Sequence, residues 1–192
     1  MILYATKQTI KELNIPMPEE LSTFNRILAT NVINEQKNDR LLEGGLKLFY
    51  FDNRKCIQAM NFASKLIVFI FDIDEEQIAY IGDAIARYLL DIYENDKEMK
   101  RKLEKLFKYY PICTFSKLED KSIISSLNRN QLYFAEDGYR FYEYIENGIL
   151  KTREINKKAN WDNILSIKIN GKVEYIYPAE YLKKLLVERI ND

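Results

Sequence analysis

The chain has 192 residues and a mass of 22.9 kDa, is 47% hydrophobic and 30% charged, and balances 29 Lys/Arg against 29 Asp/Glu without one histidine. Histidine is the side chain that titrates unaided near neutrality and the commonest nitrogen ligand of metals, so its absence removes the usual hydrolase triads, zinc-protease helices and most zinc sites. A dedicated nucleic-acid coat would carry a basic excess overall, and this chain has none.

In chain order, a strand is expected over Ile2 to Ala5, then a helix from Lys7 to Leu13 with Thr6 as its N-cap. Asn14, Pro16 and Pro18 end that helix, and a polar connection with one apolar turn, Phe24 to Leu28, leads to Gly44-Gly45. Leu46 to Phe51, Cys56 to Met60 and Leu66 to Phe71 are short apolar runs separated by polar breaks, which predicts a three-stranded antiparallel meander over about 46–71. The last run is apolar without alternation, so a strand covered on both faces, in the middle of the sheet, is expected. Asp74 opens a helix to Tyr93, with Ile78, Ile81, Ile85, Tyr88 and Ile92 on one stripe. Asp96 opens another, with Met99, Leu103, Leu106 and Tyr110 on one face before Pro111 stops it.

Ile112 to Phe115 reads as a strand and Glu119 to Phe134 as a helix, while the aromatic segment Tyr139 to Ile145 is assigned neither helix nor strand. Lys151 to Asn160 reads as a polar linker. Ile164 to Ile169 and Lys172 to Tyr177 read as a hairpin around an Asn170-Gly171 type I′ turn, and Pro178 begins a last helix with Tyr181, Leu182, Leu185 and Leu186 inward. The fold class is α+β, with an antiparallel sheet packed by helices on one face and a C-terminal β-hairpin and helix. One domain over 1–192 is expected, its core over about 1–150 and its hairpin–helix extension over about 160–192.

No apolar run approaches the ~20 residues that cross a bilayer, and the first residues lack a signal-peptide pattern, so a cytoplasmic protein is expected. Cys56 and Cys113 stand 57 positions apart, as two thiols of a reducing compartment. Residues 1–96 hold 10 Lys/Arg against 15 Asp/Glu and residues 97–192 hold 19 against 14, leaving halves of −5 and +5.

Three groups of residues are candidates for chemistry. Asp72 and Asp74 follow a buried strand, where such a pair could hold magnesium; the bland alternative is that Asp74 caps the next helix beside Glu75 and Glu76. Lys97, Arg101, Lys105 and Lys108 form a basic ridge opposite the apolar stripe of their helix, readable as a phosphate-tracking surface or as a solvated face. Fourteen tyrosines and ten phenylalanines, densest from Tyr133 to Tyr144, could stack on bases or anchor an interface, or fill a core. Gly171-Lys172 lacks the remaining residues of a phosphate loop, and Ser122 and Ser125 lack the Ser-x-x-Lys spacing of lysine-assisted serine chemistry.

Two segments, Asp52-Asn53-Arg54-Lys55 leading into Cys56 to Asn61, and Phe115-Ser116-Lys117 running through Asp120 to Asn128, resemble an uncharacterised bacterial domain family found in small proteins of mobile or accessory genome regions. The resemblance covers about residues 1–135. It marks Asn53, Arg54, Lys121 and Asn128, with Lys121 standing where the family pattern favours arginine. Asn53-Arg54 suits a tight turn, while Lys121 and Asn128, two helical turns apart, either converge on a polar site or lock a helix to the sheet. The reading reached is a non-catalytic interaction protein binding a macromolecular, first of all protein, partner. The alternatives are a nucleic-acid-binding module using the basic ridge and a magnesium-dependent carboxylate enzyme. No cofactor and no catalytic residue is assigned, no membrane association is expected, and the oligomeric state is open.

Overall fold

Strands β1 (Ile2–Ala5), β2 (Glu43–Phe51), β3 (Arg54–Asn61), β4 (Ile67–Ile70) and β5 (Thr114–Lys117) form one mixed sheet in the order β4-β3-β2-β1-β5. The computed structural model describes residues 1–136, 139–169 and 171–190. β2, β3 and β4 are the expected antiparallel meander. Asp52 and Asn53 turn β2 into β3 with φ of 50° and 59°, the left-handed pair that a two-residue hairpin requires. The sheet is not wholly antiparallel: β1 lies between β2 and β5 and runs parallel to both. A parallel neighbour needs a crossover, and helices α1 (Lys7–Glu12) and α2 (Thr23–Gln36) supply it between β1 and β2.

Helix α2 replaces the expected polar connection. It buries only Ala29, Val32 and Gln36 and leaves Phe24 and Ile27 exposed at 70% and 55%, so it carries no apolar stripe for periodicity to find. Thr6 caps α1, its hydroxyl accepting from Thr9 N at 3.3 Å, and Asp96 caps α4 (Lys97–Tyr109), accepting from Met99 N at 3.0 Å. The helix expected from Asp74 is a 3-10 turn, Gln77–Tyr80, followed by α3 (Ile81–Ile92).

Helices cover both faces of the sheet, not one. Leu3, Leu46, Leu48, Ile57, Ala59 and Val68 meet α3, α4 and α8 (Pro178–Arg189). Phe49, Cys56, Met60, Ile67 and Phe69 meet α5 (Lys121–Gln131), α6 (Tyr139–Tyr142) and α7 (Thr152–Trp161). The strands therefore alternate between two apolar faces rather than between apolar and polar ones. Short pairs β6 (Ile145–Glu146) with β7 (Ile149–Leu150), and β8 (Leu165–Ile169) with β9 (Lys172–Ile176), form separate two-stranded sheets. The second is the expected hairpin; Asn170 lies outside the described residues, and Gly171 has φ +80°.

The run expected in mid-sheet, β4, is an edge strand. Its apolarity is nonetheless explained, because α7 covers the edge with two asparagines one turn apart. Asn160 accepts from Ile67 N at 2.8 Å and donates to Ile67 O at 2.7 Å; Asn156 accepts from Phe69 N at 2.7 Å and donates to Phe69 O at 3.0 Å. A side-chain amide presents the same donor and acceptor as a peptide group, so the pair completes the β-ladder where a sixth strand would lie. The segment expected as a polar linker is thus α7, whose buried face is Ile155, Asn156, Ala159 and Asn160.

Two ion pairs tie α8 down. Arg189 grips Asp39 with both terminal nitrogens, at 2.7 and 2.6 Å, and Lys183 reaches Asp96 at 2.6 Å. Burial pushes the Asp39 carboxyl up, but the Arg189 hydrogen bond and charge with the Leu41 and Leu42 amides outweigh it and hold it below the usual range. The Lys183 hydrogen bond does the same for Asp96. Carboxyls so lowered contribute stability that is complete above about pH 4 and is lost as pH falls through their folded values. A D39N/D96N variant is therefore expected to lose about 1 kcal/mol at pH 7, discounted for partial exposure, and to show a shallower acid limb. Urea unfolding from pH 7 to 2.5 checks this; an acid limb identical to that of the parent would exclude it.

Candidate cationic cleft

Asn61, the last residue of β3, organises the start of the site. Its Oδ1 accepts from Ala63 N at 3.1 Å and from Ser64 N and Oγ at 2.9 Å, while its Nδ2 donates to Leu41 O at 2.9 Å and Glu43 O at 3.2 Å. One side chain thereby zips the β3–β4 turn to the segment entering β2, and Ala63 N also donates to Arg40 O at 3.1 Å. The turn closes with Lys65 at φ +60°, a left-handed conformation that a lysine adopts at some cost. Arg40 lies over the Phe62 ring at 5.3 Å, and Phe62 stacks on Tyr4 at 5.3 Å, so an aromatic layer supports the guanidinium.

Helix α5 supplies the facing wall. Asp120 caps it, accepting from Ser122 N at 2.8 Å and Ile123 N at 3.2 Å. Ile123 and Leu127 are buried against the sheet, which turns Ser122, Ser126 and Arg129, spaced four and three residues apart, along the neighbouring face. Ser166 and Val173 of the β8–β9 hairpin and Tyr181 and Leu185 of α8 close a cleft of about 760 Å³ with Arg40, Lys65 and Arg129. Lys65, Ser126, Arg129 and Ser166 also line a smaller pocket running inward to Met60 and Asn130.

Three cations from three segments thus share one concavity, and among the described residues no carboxylate lines it. Burial, then the charge of Arg40, pushes the Lys65 ammonium down to about 8, with Asp120 opposing. An ammonium desolvated beside a guanidinium gains stability from an anion, and phosphate oxygens match the donors that arginine, lysine and serine present.

The residues marked by sequence are dispersed. Lys97, Arg101 and Lys108 are exposed and Lys105 half-buried, as an outer ridge requires, and none lines the cleft. Their neighbour Lys102 instead enters the core and donates to Ile190 O at 2.7 Å. Arg54 bonds Asp72 at 2.6 Å, which joins two of the marked residues in an exposed ion pair beside the Asn53 turn. Asp74 accepts from Gln77 N at 2.8 Å, the capping geometry, while Gln77 Oε1 receives Asp74 N at 3.1 Å. Among the described residues, no three carboxylates or cysteines gather as a metal site would require. Lys121 and Asn128 are both exposed on α5, turned away from the face that enters the cleft.

The aromatic-rich segment divides: Phe134 and Phe141 are core, while Tyr133 and Tyr142 remain partly exposed. Sequence reading missed Arg40, Lys65 and Arg129. The signals present were the Asn61-to-Ser64 spacing of a side-chain-closed turn and the Ser122, Ser126, Arg129 face of α5.

No helix among the described residues is long and apolar enough to cross a membrane. No curated protein matches the chain. The family match runs from residue 2 to residue 181, past the resemblance over 1–135 and through the C-terminal hairpin into α8. Both walls of the cleft fall within it, and the chain belongs to DUF6933, a domain of unknown function.

Proposed function

We propose that this protein is a non-catalytic binding protein that takes a phosphate-bearing partner into the cleft between the β3–β4 turn, α5 and the C-terminal hairpin. The observation that carries this reading is the convergence of Arg40, Lys65 and Arg129 on one cavity whose described lining holds no carboxylate. A cytosolic, bacterial setting accompanies it, supported by Cys56 and Cys113 as free thiols and by the sequence resemblance.

NMR titration with pyrophosphate tests it. Chemical-shift changes are expected at Ser126, Arg129 and Lys65, and Arg129→Glu is expected to weaken binding at least about tenfold, the worth of one charge-assisted hydrogen bond. Lys65 must carry its proton to hold the anion, so affinity is expected to fall as pH rises through about 8. Lys65→Met should flatten that profile. Absence of saturable shifts in the parent protein would refute the reading.

A second reading, a protein partner docked on the hairpin, is favoured by the exposed side chains of Ile164, Val173 and Tyr175. It requires a complex insensitive to salt and to Arg129→Glu.

A further inference from the structure

We infer that the ligand is a small molecule ending in a phosphomonoester, its terminal phosphoryl group seated in the inner pocket among Lys65, Ser126, Arg129, Asn130 and Ser166, and a second anionic group turned outward to Arg40. The assignment rests on the cleft reading above and adds to it the class of ligand and its orientation.

The cleft has two levels. Lys65, Ser126, Arg129 and Ser166 line both the outer cleft and the inner pocket, whereas Arg40 lines the outer cleft and Asn130 the inner pocket. The inner pocket measures about 40 Å³, room for about three water-sized atoms at roughly 10–15 Å³ each. A phosphomonoester has three terminal oxygens. Met60 and Asn130, 1% and 5% exposed, close the floor. One ester substituent can leave such a dead end and two cannot, which separates a monoester from an internal diester.

The donors favour a tetrahedral anion over a planar one, because they stand on three segments: Lys65 in the β3–β4 turn, Ser126, Arg129 and Asn130 on α5, and Ser166 on β8. A carboxylate accepts close to its own plane, as from a single guanidinium fork, while phosphoryl oxygens point to three sides. Among the described residues no ion pair engages Arg40, Lys65 or Arg129. Asn130 Nδ2 donates to Met60 Sδ at 3.6 Å, and a thioether is a weak acceptor, so the buried amide keeps a donor for a better one. Ser126 donates to Ser122 O at 3.0 Å and reaches the anion by rotation of its hydroxyl. Arg40, seated over Phe62, stands at the outer level, where a second negative group gives it a partner. The outer cleft, about 760 Å³, has the size of a small-molecule site, roughly 300–1,000 Å³.

NMR titration of the full chain with phosphoglycolate, ethyl phosphate, diethyl phosphate and glutarate tests the assignment. Phosphoglycolate, a monoester with a carboxylate, is expected to bind about fivefold more tightly than ethyl phosphate, and diethyl phosphate and glutarate at least about tenfold more weakly than ethyl phosphate. Asn130→Asp sets a charge on the pocket floor at unchanged size, and Ser166→Asp does so from the exposed hairpin, where the core is not disturbed. Each should weaken ethyl phosphate at least about tenfold. Arg40→Ala should leave ethyl phosphate within about twofold and remove the advantage of phosphoglycolate.

Diethyl phosphate bound as tightly as ethyl phosphate overturns the monoester, and glutarate bound more tightly than phosphoglycolate overturns the phosphoryl class. Indifference of ethyl phosphate to Ser166→Asp overturns the inner seat, and its loss in Arg40→Ala overturns the two-level orientation. Pyrophosphate binding without ethyl phosphate binding rejects the monoester assignment and leaves the anion cleft intact, whereas failure of both removes the cleft reading itself.

Discussion

Replacement of Asn160 by alanine is expected to lower stability by about 3 kcal/mol, and the N156A/N160A double replacement by about 5 kcal/mol, in equilibrium urea unfolding. Asn160 is fully buried and Asn156 is 1% exposed. Truncating Asn160 leaves the N–H and C=O of Ile67 without partners in a place closed to water, and each such group costs about 1–3 kcal/mol. The comparison with Asn160→Asp isolates the cause. Aspartate keeps the acceptor for Ile67 N but cannot donate to Ile67 O and brings a buried charge, so it should be no better than alanine. Exposure of the β4 edge should also make the double variant self-associate, visible by size-exclusion chromatography, because an unpaired apolar edge recruits another strand. A loss under 0.5 kcal/mol for Asn160→Ala would mean that the ladder is completed by something other than this side chain.

Replacement of Phe141 by alanine should cost about 3–5 kcal/mol. Phe141 is the fully buried anchor of the one-turn helix α6, and its ring meets Phe49, Phe51, Phe69, Phe71 and Phe134 with centroids 5.1 to 6.4 Å apart. The arrangement mixes edge-to-face and stacked pairs, the geometries that aromatic quadrupoles favour. Five rings around one side chain leave little room to relax into the space it vacates, so the cavity cost stays near the upper end of its range. Phe141→Leu, which keeps most of the volume, should lose about 1–2 kcal/mol. Amide hydrogen exchange should then accelerate first in α6 and the π-helical turn Leu132–Glu136, which depend on that contact. Uniform acceleration across the sheet instead would place Phe141 in the global unfolding unit.

The positions at which sequence reading succeeded and failed follow one distinction. Thr6 and Asp96 were readable as caps because a cap bonds to an amide three residues on, within its own segment. The meander and the final hairpin were readable because period-two patterns and turn residues are equally local. Helix α7 was not, because its inward face is half asparagine, and asparagine looks like linker until a strand edge is set against it. Edge strand β4 reads as a mid-sheet strand for the complementary reason: apolarity on both faces records that a strand is covered, and says nothing of whether another strand or a helix covers its edge.

The candidate site shows the same division more sharply. Of the charged residues singled out by sequence, Arg54 and Asp72 are brought together from separate segments, in a solvent-exposed pair, whose worth is small. Arg40, Lys65 and Arg129 lie in three segments, and each alone resembles an ordinary surface cation. By itself the sequence determined the histidine-free chemistry, the meander, the caps and the C-terminal hairpin and helix, since these rest on composition or on bonds between near neighbours. Tertiary structure decided the insertion of β1 between β2 and β5, the asparagine closure of the β4 edge and the gathering of three cations under a hairpin. Those depend on groups far apart in the chain, whose attraction and desolvation exist only once the fold brings them within reach.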